Sequence, residues 1–265
     1  MNYLRKIPFL VLSSFKMQEN FVIHPDYSQM AAKLRDVLHN FFKTGEYVTK
    51  GERNVIKTVQ LEGRSLNIKK FKTPNAFQSL VYQYLRKSKA RRSFEYATKL
   101  IGFGIKTPFP VAYLEFFSGG LKESFYVSEQ INYDFDFREL IHNPRFKKRN
   151  EILRQFTQFT FKLHENDVNF LDHSPGNTLI MDNGNDNYDF YLIDLNRMRF
   201  EEMTFEKRMR NFRRLWLSKT MVKIMAAEYA KLYGKSYEET HALMLKHSRA
   251  FQKKINSKKL RRRKR

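Results

Sequence analysis

The sequence predicts an α+β fold with two lobes, a β-rich first half and a helical second half. Apolar and polar residues alternate in short runs separated by turn residues up to Gln130, around one long helical segment. After Asn132 the apolar residues recur mainly at helical spacing. The chain has 265 residues, of which 42% are hydrophobic and 15% aromatic. This is enough to bury a large core, and it excludes a wholly disordered protein.

The first half is predicted to contain a small antiparallel sheet and two helical regions. Met30, Leu34 and Leu38 recur at helical spacing in the first helix, and Gly51-Glu52 and Glu62-Gly63 supply turns between strands. In chain order we expect a helix over 27–42, strands at 47–48, 54–61 and 64–71, a helix over 77–101, and strands at 111–117 and 122–130.

The second half is predicted to be helical except for one hairpin. Ile152, Phe156 and Leu163 lie on one stripe of an amphipathic helix over 150–165. A loop at 167–177 precedes a hairpin of strands at 178–181 and 188–195, and the remainder over 205–256 is helical. We divide the chain into an N-terminal extension (1–21), a first lobe (22–130), a second lobe (131–252) and a basic tail (253–265).

Charge gives the first indication of function. Fifty Lys and Arg stand against 27 Asp and Glu, so the formal net charge is +23. An excess of this size predicts an anionic partner, which is nucleic acid, an anionic membrane surface or a phosphorylated ligand. Nine of the last fifteen residues are basic. The chain contains no cysteine, which excludes disulfide scaffolds and cysteine-based catalytic or metal sites.

The most informative residues are Asp172, Asn177 and Asp194. Asp172 and Asn177 are five residues apart in the loop before the hairpin, and Asp194 ends the hairpin's second strand. An aspartate, an asparagine five residues later and a strand-terminal aspartate form the pattern of kinase-type phosphoryl transfer. One carboxylate faces the acceptor hydroxyl, while the amide oxygen and the second carboxylate converge on Mg²⁺, which prefers oxygen ligands.

With these motifs the chain resembles the lipopolysaccharide kinase (Kdo/WaaP-type) family of protein-kinase-like folds. The resemblance extends over about Val22 to Leu217. It is carried by Leu163-His164, by Ser-Pro-Gly between Asp172 and Asn177, by Ile193-Asp194-Leu195-Asn196-Arg197, and by the upstream order of Lys69 and Glu95. It implies a protein-kinase-like fold with ATP in the cleft between the lobes.

The resemblance also implies a role for each site residue. Asp172 is similar to the catalytic aspartate, and Asn177 and Asp194 to the magnesium ligands. Lys69 resembles the strand lysine that contacts the α- and β-phosphates, although Lys70 is a rival because adjacent strand residues face opposite ways. The remaining cofactor-binding residues are Glu95, which would pair with that lysine, Glu129 and Ile131 in the hinge beside adenine, and Gly51 in a phosphate-facing turn.

The function implied is ATP- and Mg²⁺-dependent phosphorylation of a sugar hydroxyl in lipopolysaccharide core or Kdo-lipid A. The partners would be an anionic glycolipid and an anionic membrane surface, contacted by basic patches and the tail. The enzyme would be cytoplasmic and peripheral at the inner membrane. His164 is interpreted as a packed or capping residue, and His173 is assigned no role.

Two departures from the kinase pattern keep other functions open. Phe170 and Leu171 replace the His-Arg pair that precedes the catalytic aspartate in many kinases, and no three-glycine phosphate loop is present. These departures are compatible with a pseudokinase or scaffold. The basic tail is compatible with a nucleic-acid-binding protein, although that function leaves the Asp/Asn/Asp set unexplained.

Overall fold

A computed structural model describes residues 16–51 and 54–263, and it has the two-part α+β architecture that the sequence predicts. The first part contains strands and three helices. They are β1 (Gln18–Ile23), α1 (Ala31–His39), β2 (Glu46–Lys50), β3 (Asn54–Leu61), β4 (Arg64–Phe71), α2 (Ala76–Tyr84), α3 (Lys89–Gly102), β5 (Pro110–Phe117) and β6 (Leu121–Glu129).

The second part is mainly helical, with two small sheets. Its elements are β7 (Phe135–Asp136), α4 (Phe137–His142), α5 (Arg149–Glu165), β8 (Val168–Phe170), β9 (Thr178–Asp182), β10 (Tyr188–Leu192), β11 (Met198–Phe200), α6 (Phe205–Asn211), α7 (Lys219–Tyr233) and α8 (Tyr237–Arg263). Short 3₁₀ turns cover Pro25–Met30, Pro175–Asn177 and Phe212–Leu215.

One antiparallel sheet forms the body of the first part. Its six strands lie in the order β1-β5-β6-β4-β3-β2. Alternation along the strands buries Leu66 and Ile68 of β4 against α1, where Leu34 and Leu38 are also buried. Because strand residues alternate between faces, Asn67 and Lys69 point to the opposite side of the sheet. That side faces the second part of the molecule.

Helix α5 lies at the centre of the second part. Its buried residues Ile152, Leu153 and Phe156 pack in one cluster with residues of α7 and with Phe190 of β10. The hairpin β9–β10 is antiparallel, with Ile180 opposite Phe190. The core therefore fixes the hairpin, and with it the loop that carries Asp172 and Asn177, against the helices.

The structure corrects several predicted boundaries. The helix expected over 77–101 is two helices, because Asn75 caps α2 and Ser88 separately caps α3. The loop expected over 167–177 contains β8, which pairs with β11. A boundary at residue 21 divides β1, which pairs with β5, and one at residue 252 divides α8. Residues 1–15 of the predicted extension lie outside the described residues.

A search of the described residues finds no helix long and apolar enough to cross a membrane.

Candidate active site

A cleft of about 370 Å³ lies between the six-stranded sheet and the β9–β10 hairpin. Five of the residues predicted to form the site line it: Lys69, Glu129, Ile131, Asn177 and Asp194. The sequence interpretation did not assign a role to most of the other lining residues. These are Val48, Asn54, Ile56, Asn67, Ser93, Thr107, Pro108, Tyr126, Ser128, Gln130, Tyr133, Leu179, Ile193 and Leu195.

The two candidate lysines point to opposite faces of β4. The Lys69 ammonium donates to Asp194 Oδ1 at 2.7 Å, inside the cleft. Lys70 forms an ion pair with Glu123 and lies over the rings of Phe42 and Phe125 on the other face. The geometry therefore favours Lys69 as the lysine that faces the nucleotide.

Asp194 is held in an uncommon backbone conformation. Its φ of 58° lies in the left-handed region, which residues other than glycine seldom adopt. Oδ1 accepts hydrogen bonds from Lys69 and from Asn196 Nδ2, the latter at 2.6 Å. The Lys69 ammonium and the Asn196 amide thus fix Oδ1 of this carboxylate in the cleft, and neither of these two bonds uses Oδ2.

The loop before β9 brings Asp172 and Asn177 together. Asn177 Nδ2 donates to the Asp172 carbonyl oxygen at 2.9 Å, which orients the amide oxygen of Asn177 the other way. The backbone N–H of Ile193 donates to the Asn177 carbonyl at 3.0 Å, so the loop is joined to the residue before Asp194. The Asp172–Asn177 loop and the end of β10 are thereby held together by hydrogen bonds to backbone carbonyls.

Two arginines hold the Asp172 carboxylate. Arg214 Nη2 lies 2.7 Å from Oδ1, and Arg197 Nη1 lies 3.5 Å from Oδ2. Arg197 follows Asp194 in the sequence, whereas Arg214 comes from the 3₁₀ turn after α6. No sequence pattern predicts the contact of Arg214 with Asp172, because that contact depends on how the helical part packs.

A buried polar network supports the loop that carries Asp172 and Asn177. His173 Nδ1 lies 3.0 Å from Asn211 Oδ1, and Asn211 Nδ2 donates to the Phe170 carbonyl at 3.1 Å. Close by, His164 Nδ1 lies 2.9 Å from the Tyr229 hydroxyl. Burial lowers the pKa of His173 to about 4 and that of His164 to about 3, since a charged imidazolium loses its hydration there. His164 is packed in the core, as the sequence indicated, and His173, which was assigned no role, lies buried beneath the loop.

The predicted pair between Lys69 and Glu95 is wrong for this structure. The Glu95 carboxylate accepts from Lys87 at 2.8 and 2.9 Å and from Arg91 at 2.9 Å, and it does not line the cleft. Ser93 is the residue of α3 that faces the cleft. On a helix, residues 93 and 95 differ by about 200° in direction, so the same rotation that brings Ser93 inward turns Glu95 outward.

Two backbone N–H groups of the predicted hinge already form hydrogen bonds within the protein. The N–H of Glu129 donates to the Phe109 carbonyl and that of Gln130 to the Ser65 carbonyl, each at 2.9 Å. The Glu129 carboxylate accepts from Tyr27 and Arg64. Its side chain therefore has a structural role. Ile131 lines the cleft, and its carbonyl accepts from Gln130 Nε2 at 2.9 Å.

Gly51 is not a lining residue of the cleft within the described part of the chain. A Cβ placed on it would lie 3.3 Å from the Asn54 carbonyl oxygen, and its φ is not in the left-handed region. Val48, before this turn, and Asn54, after it, do line the cleft. Asn67 and Lys69 stand two apart on β4, so strand alternation could have identified Asn67 from the sequence.

The donor set suits a hard divalent cation. Asn177 Oδ1 and Asp194 Oδ2 are oxygen donors in one cleft, and the partner atoms of both side chains are already fixed by hydrogen bonds. The described residues contain no group of three or more His, Cys, Asp or Glu that could hold a metal without other ligands. A cation here would therefore complete its coordination with phosphate oxygens and water, as Mg²⁺ does in kinases.

A cleft between an antiparallel sheet and a helical part, lined by Asn177 and Asp194 and with Asp172 hydrogen-bonded to Asn177, is typical of the kinase-like class of fold. The model of the lipopolysaccharide kinase (Kdo/WaaP) family matches residues 42–237. The chain therefore belongs to that family, and it is a phosphotransferase of the kinase type.

A solved structure supports the fold assignment. The chain is similar to the protein described as "WaaP in complex with acyl carrier protein", with a TM-score of 0.63 and 17% sequence identity. The similarity covers 88% of this chain and 98% of the other. No curated protein sequence matches the chain.

Proposed function

We propose that the protein transfers the γ-phosphoryl group of ATP to a sugar hydroxyl of lipopolysaccharide core or Kdo-lipid A. The observation that carries this proposal is the position of Lys69, Asn177 and Asp194 in one cleft, with Asp172 joined to Asn177 by a hydrogen bond. The family supplies the substrate class.

Each residue has a defined part in the transfer. Asp172 orients the acceptor hydroxyl and takes its proton as the new O–P bond forms and the bond between the γ-phosphorus and the ADP oxygen breaks. Lys69 binds the α- and β-phosphates. Asn177 Oδ1 and Asp194 Oδ2 would hold Mg²⁺, which neutralises phosphate charge when bound. Catalysis then rests on positioning and on charge neutralisation.

The rest of the cleft is suited to a nucleoside. Val48 and Ile56 lie on the sheet side and Leu179 on the hairpin side, so that a flat base would be enclosed by apolar side chains. The N–H groups of Glu129 and Gln130 donate to protein carbonyls. We therefore assign adenine recognition to the backbone at Ile131 rather than to Glu129.

Arg197 and Arg214 are placed to recognise the acceptor. Both guanidinium groups contact the Asp172 carboxylate, where the acceptor hydroxyl must arrive. An acceptor that carries a phosphate or carboxylate near this hydroxyl would compete for them by bidentate hydrogen bonding. Such an anion would draw the arginines away and release Asp172 for the hydroxyl.

The +23 charge supports an anionic partner for the whole protein. We propose that it is the cytoplasmic surface of the inner membrane, where a glycolipid acceptor would lie. The similar WaaP was solved with an acyl carrier protein. An acyl carrier protein is a second candidate partner, and its copurification with this chain would support it.

The test supplies labelled ATP and Mg²⁺ with total lipopolysaccharide, total protein and RNA in one reaction, beside the Asp172→Asn variant. We expect label in lipopolysaccharide only, and none with the variant. Label in protein would make the enzyme a protein kinase. RNA binding without ATP turnover would favour the nucleic-acid function, and failure to bind Mg-ATP would favour a pseudokinase.

A further inference from the structure

Helix α2 carries large apolar side chains into solvent. Phe77 is 77% exposed, Leu80 47%, Tyr84 70%, and Leu85, just past the helix, 83%. At 100° per residue, Phe77, Leu80 and Tyr84 fall on one face of the helix. We call these four residues the α2 ridge. Contiguous apolar surface of this kind marks an interaction site more often than scattered single residues do.

The α2 ridge projects from a helix that is firmly seated. On the opposite face, Ser79 Oγ donates to the Leu121 carbonyl at 2.7 Å. A Cβ placed on Gly120, in the turn between β5 and β6, would lie 2.3 Å from that Oγ, so only glycine permits this approach. Asn75 caps the helix by accepting from the Gln78 N–H at 2.9 Å. The exposed face is therefore a fixed protrusion and not an undocked helix.

Charged residues flank the α2 ridge, but none lies within it. The thirteen residues from Thr73 to Leu85 include no charged side chain, although 29% of the whole chain is charged. Exposed Lys72 precedes this segment and exposed Arg86 and Lys87 follow it. Apolar side chains flanked by cations match an anionic bilayer, with hydrocarbon below its surface and phosphate groups at the surface.

The α2 ridge is followed in the chain by α3, the helix whose Ser93 lines the cleft. Four residues after Leu85 the chain reaches Lys89, the first residue of α3. Burial lowers the pKa of Lys89, nearby Arg197 and Arg92 lower it further, and Asp194 opposes them. Lys89 therefore lies within electrostatic reach of the catalytic residues. A ridge held in a membrane would bring the cleft to the level of the lipid head groups.

We propose that the α2 ridge inserts into an anionic lipid bilayer and is the main apolar anchor of the protein. This goes beyond the proposed phosphoryl transfer, and its link to catalysis rests on that proposal, because an acceptor glycolipid would present its sugars at the same level. The exposed cations on both sides of the ridge favour an anionic bilayer as its partner. The basic tail then adds long-range attraction without supplying the insertion.

The absence of cysteine in the chain allows a direct test of insertion. Leu85→Cys and, as a matched control, Leu232→Cys on α7 are each labelled with an environment-sensitive fluorophore. Leu232 is also an exposed leucine. With vesicles of phosphatidylcholine and phosphatidylglycerol we expect a blue shift at position 85 and none at 232. Vesicles of phosphatidylcholine alone should give a weaker response at 85.

A second measurement uses sedimentation with the same vesicles. Phe77→Ser combined with Leu85→Ser should lower partitioning by about 10- to 100-fold, from the apolar burial that is lost, whereas Leu232→Ser should not. Both changes are at exposed positions, and unchanged circular dichroism would show that the variants fold.

An unshifted label at position 85, or equal partitioning of the double variant and the parent, would overturn the proposal. A label that responds to an acidic carrier protein but not to vesicles would also overturn it and identify a protein-docking surface. The vesicle assays contain no ATP. Their failure is therefore distinct from a failure of the proposed function, which is measured by labelled ATP.

Discussion

The two walls of the cleft are held in different ways. The floor, formed by the catalytic loop and the hairpin, is fixed by hydrogen bonds among Asp172, Asn177 and Ile193 and by the buried Asn211 below it. The sheet wall contributes Lys69 through a single ion pair that crosses the cleft to Asp194. The floor is preorganised by hydrogen bonds that involve the backbone, whereas the sheet wall depends on the position of the Lys69 side chain and of helix α3.

The contrast shows which part of the site is assembled by residues close in sequence and which part depends on packing. On the floor, the five-residue spacing from Asp172 to Asn177 and one hairpin suffice to assemble the residues. On the sheet wall, the position of Glu95 depends on the rotation of α3 about its axis. In this structure α3 directs Ser93 into the cleft, and Glu95 forms ion pairs with Lys87 and Arg91 instead.

The largest expected effect is on the floor. Asp172→Asn should lower the turnover of phosphoryl transfer by about 10²- to 10⁴-fold, because a positioned proton acceptor is lost. Nucleotide affinity, measured by calorimetric titration, should change little, since Asp172 does not line the nucleotide cleft. Asp189→Asn, which removes only the surface partner of Lys106, is the control. Full activity in Asp172→Asn would refute the catalytic assignment.

Substitutions of the neighbouring Lys69 and Lys70 test the role of the sheet wall. Lys69→Met should reduce kcat/KM for ATP by about 10²- to 10³-fold, in the range seen when one preorganised donor to a reacting group is removed. Lys70→Met removes the same charge from the neighbouring residue on the other face and should leave kcat/KM within a few-fold. Equal losses in the two variants would mean that net charge, and not the side facing the cleft, determines activity.

Acid should destabilise the fold through the two buried histidines beneath the floor. The native pKa of His173 is lowered to about 4 and that of His164 to about 3, below the usual value near 6.5. The unfolded chain therefore binds more protons, so the stabilisation is present above about pH 6.5 and is lost as the pH falls. Each histidine should contribute a slope that grows as the pH falls from 6.5 to 5 and averages about 1 kcal/mol per pH unit over that range.

Urea unfolding at several pH values measures this slope. His173→Gln should flatten it even if the variant is less stable throughout, because the slope depends on the proton and not on packing. His142→Gln, at an exposed position, is the control and should leave the slope unchanged. An equal slope in all three proteins would show that the buried histidines do not govern acid stability.

The smallest expected effect is at Glu95. Its partners Lys87 and Arg91 form partly exposed ion pairs, which contribute about 0–1 kcal/mol each at most. Glu95→Gln should therefore change the unfolding free energy by less than about 1 kcal/mol and change kcat/KM by only a few-fold. A loss as large as that of Lys69→Met would mean that α3 rotates on nucleotide binding and restores the pair expected from the sequence.

Much of the fold could be predicted because its signals are local. The bounds of β3 and β4 agree with the predicted 54–61 and 64–71, since strand alternation and a Glu-Gly turn specify both strands. The 77–101 segment was predicted as one helix because the break at 85–88 lacks proline and glycine. The separation of α2 from α3 follows instead from the Ser88 cap and from the seating of Ser79 on the β5–β6 turn.

The sequence alone was enough to single out the residues of the floor: Asp172, Asn177 and Asp194 are specified by spacing and by the strand that ends before the third residue. Strand alternation also showed that only one of Lys69 and Lys70 could face the nucleotide. Tertiary structure decided which one, because the face of β4 that carries Leu66 and Ile68 is covered by α1 and the opposite face meets the helical part. It likewise decided the arginine partners of Asp172, the rotation of α3 and the exposure of the α2 ridge. Each of these depends on how distant elements pack, and packing is a property of the whole chain that no local pattern encodes.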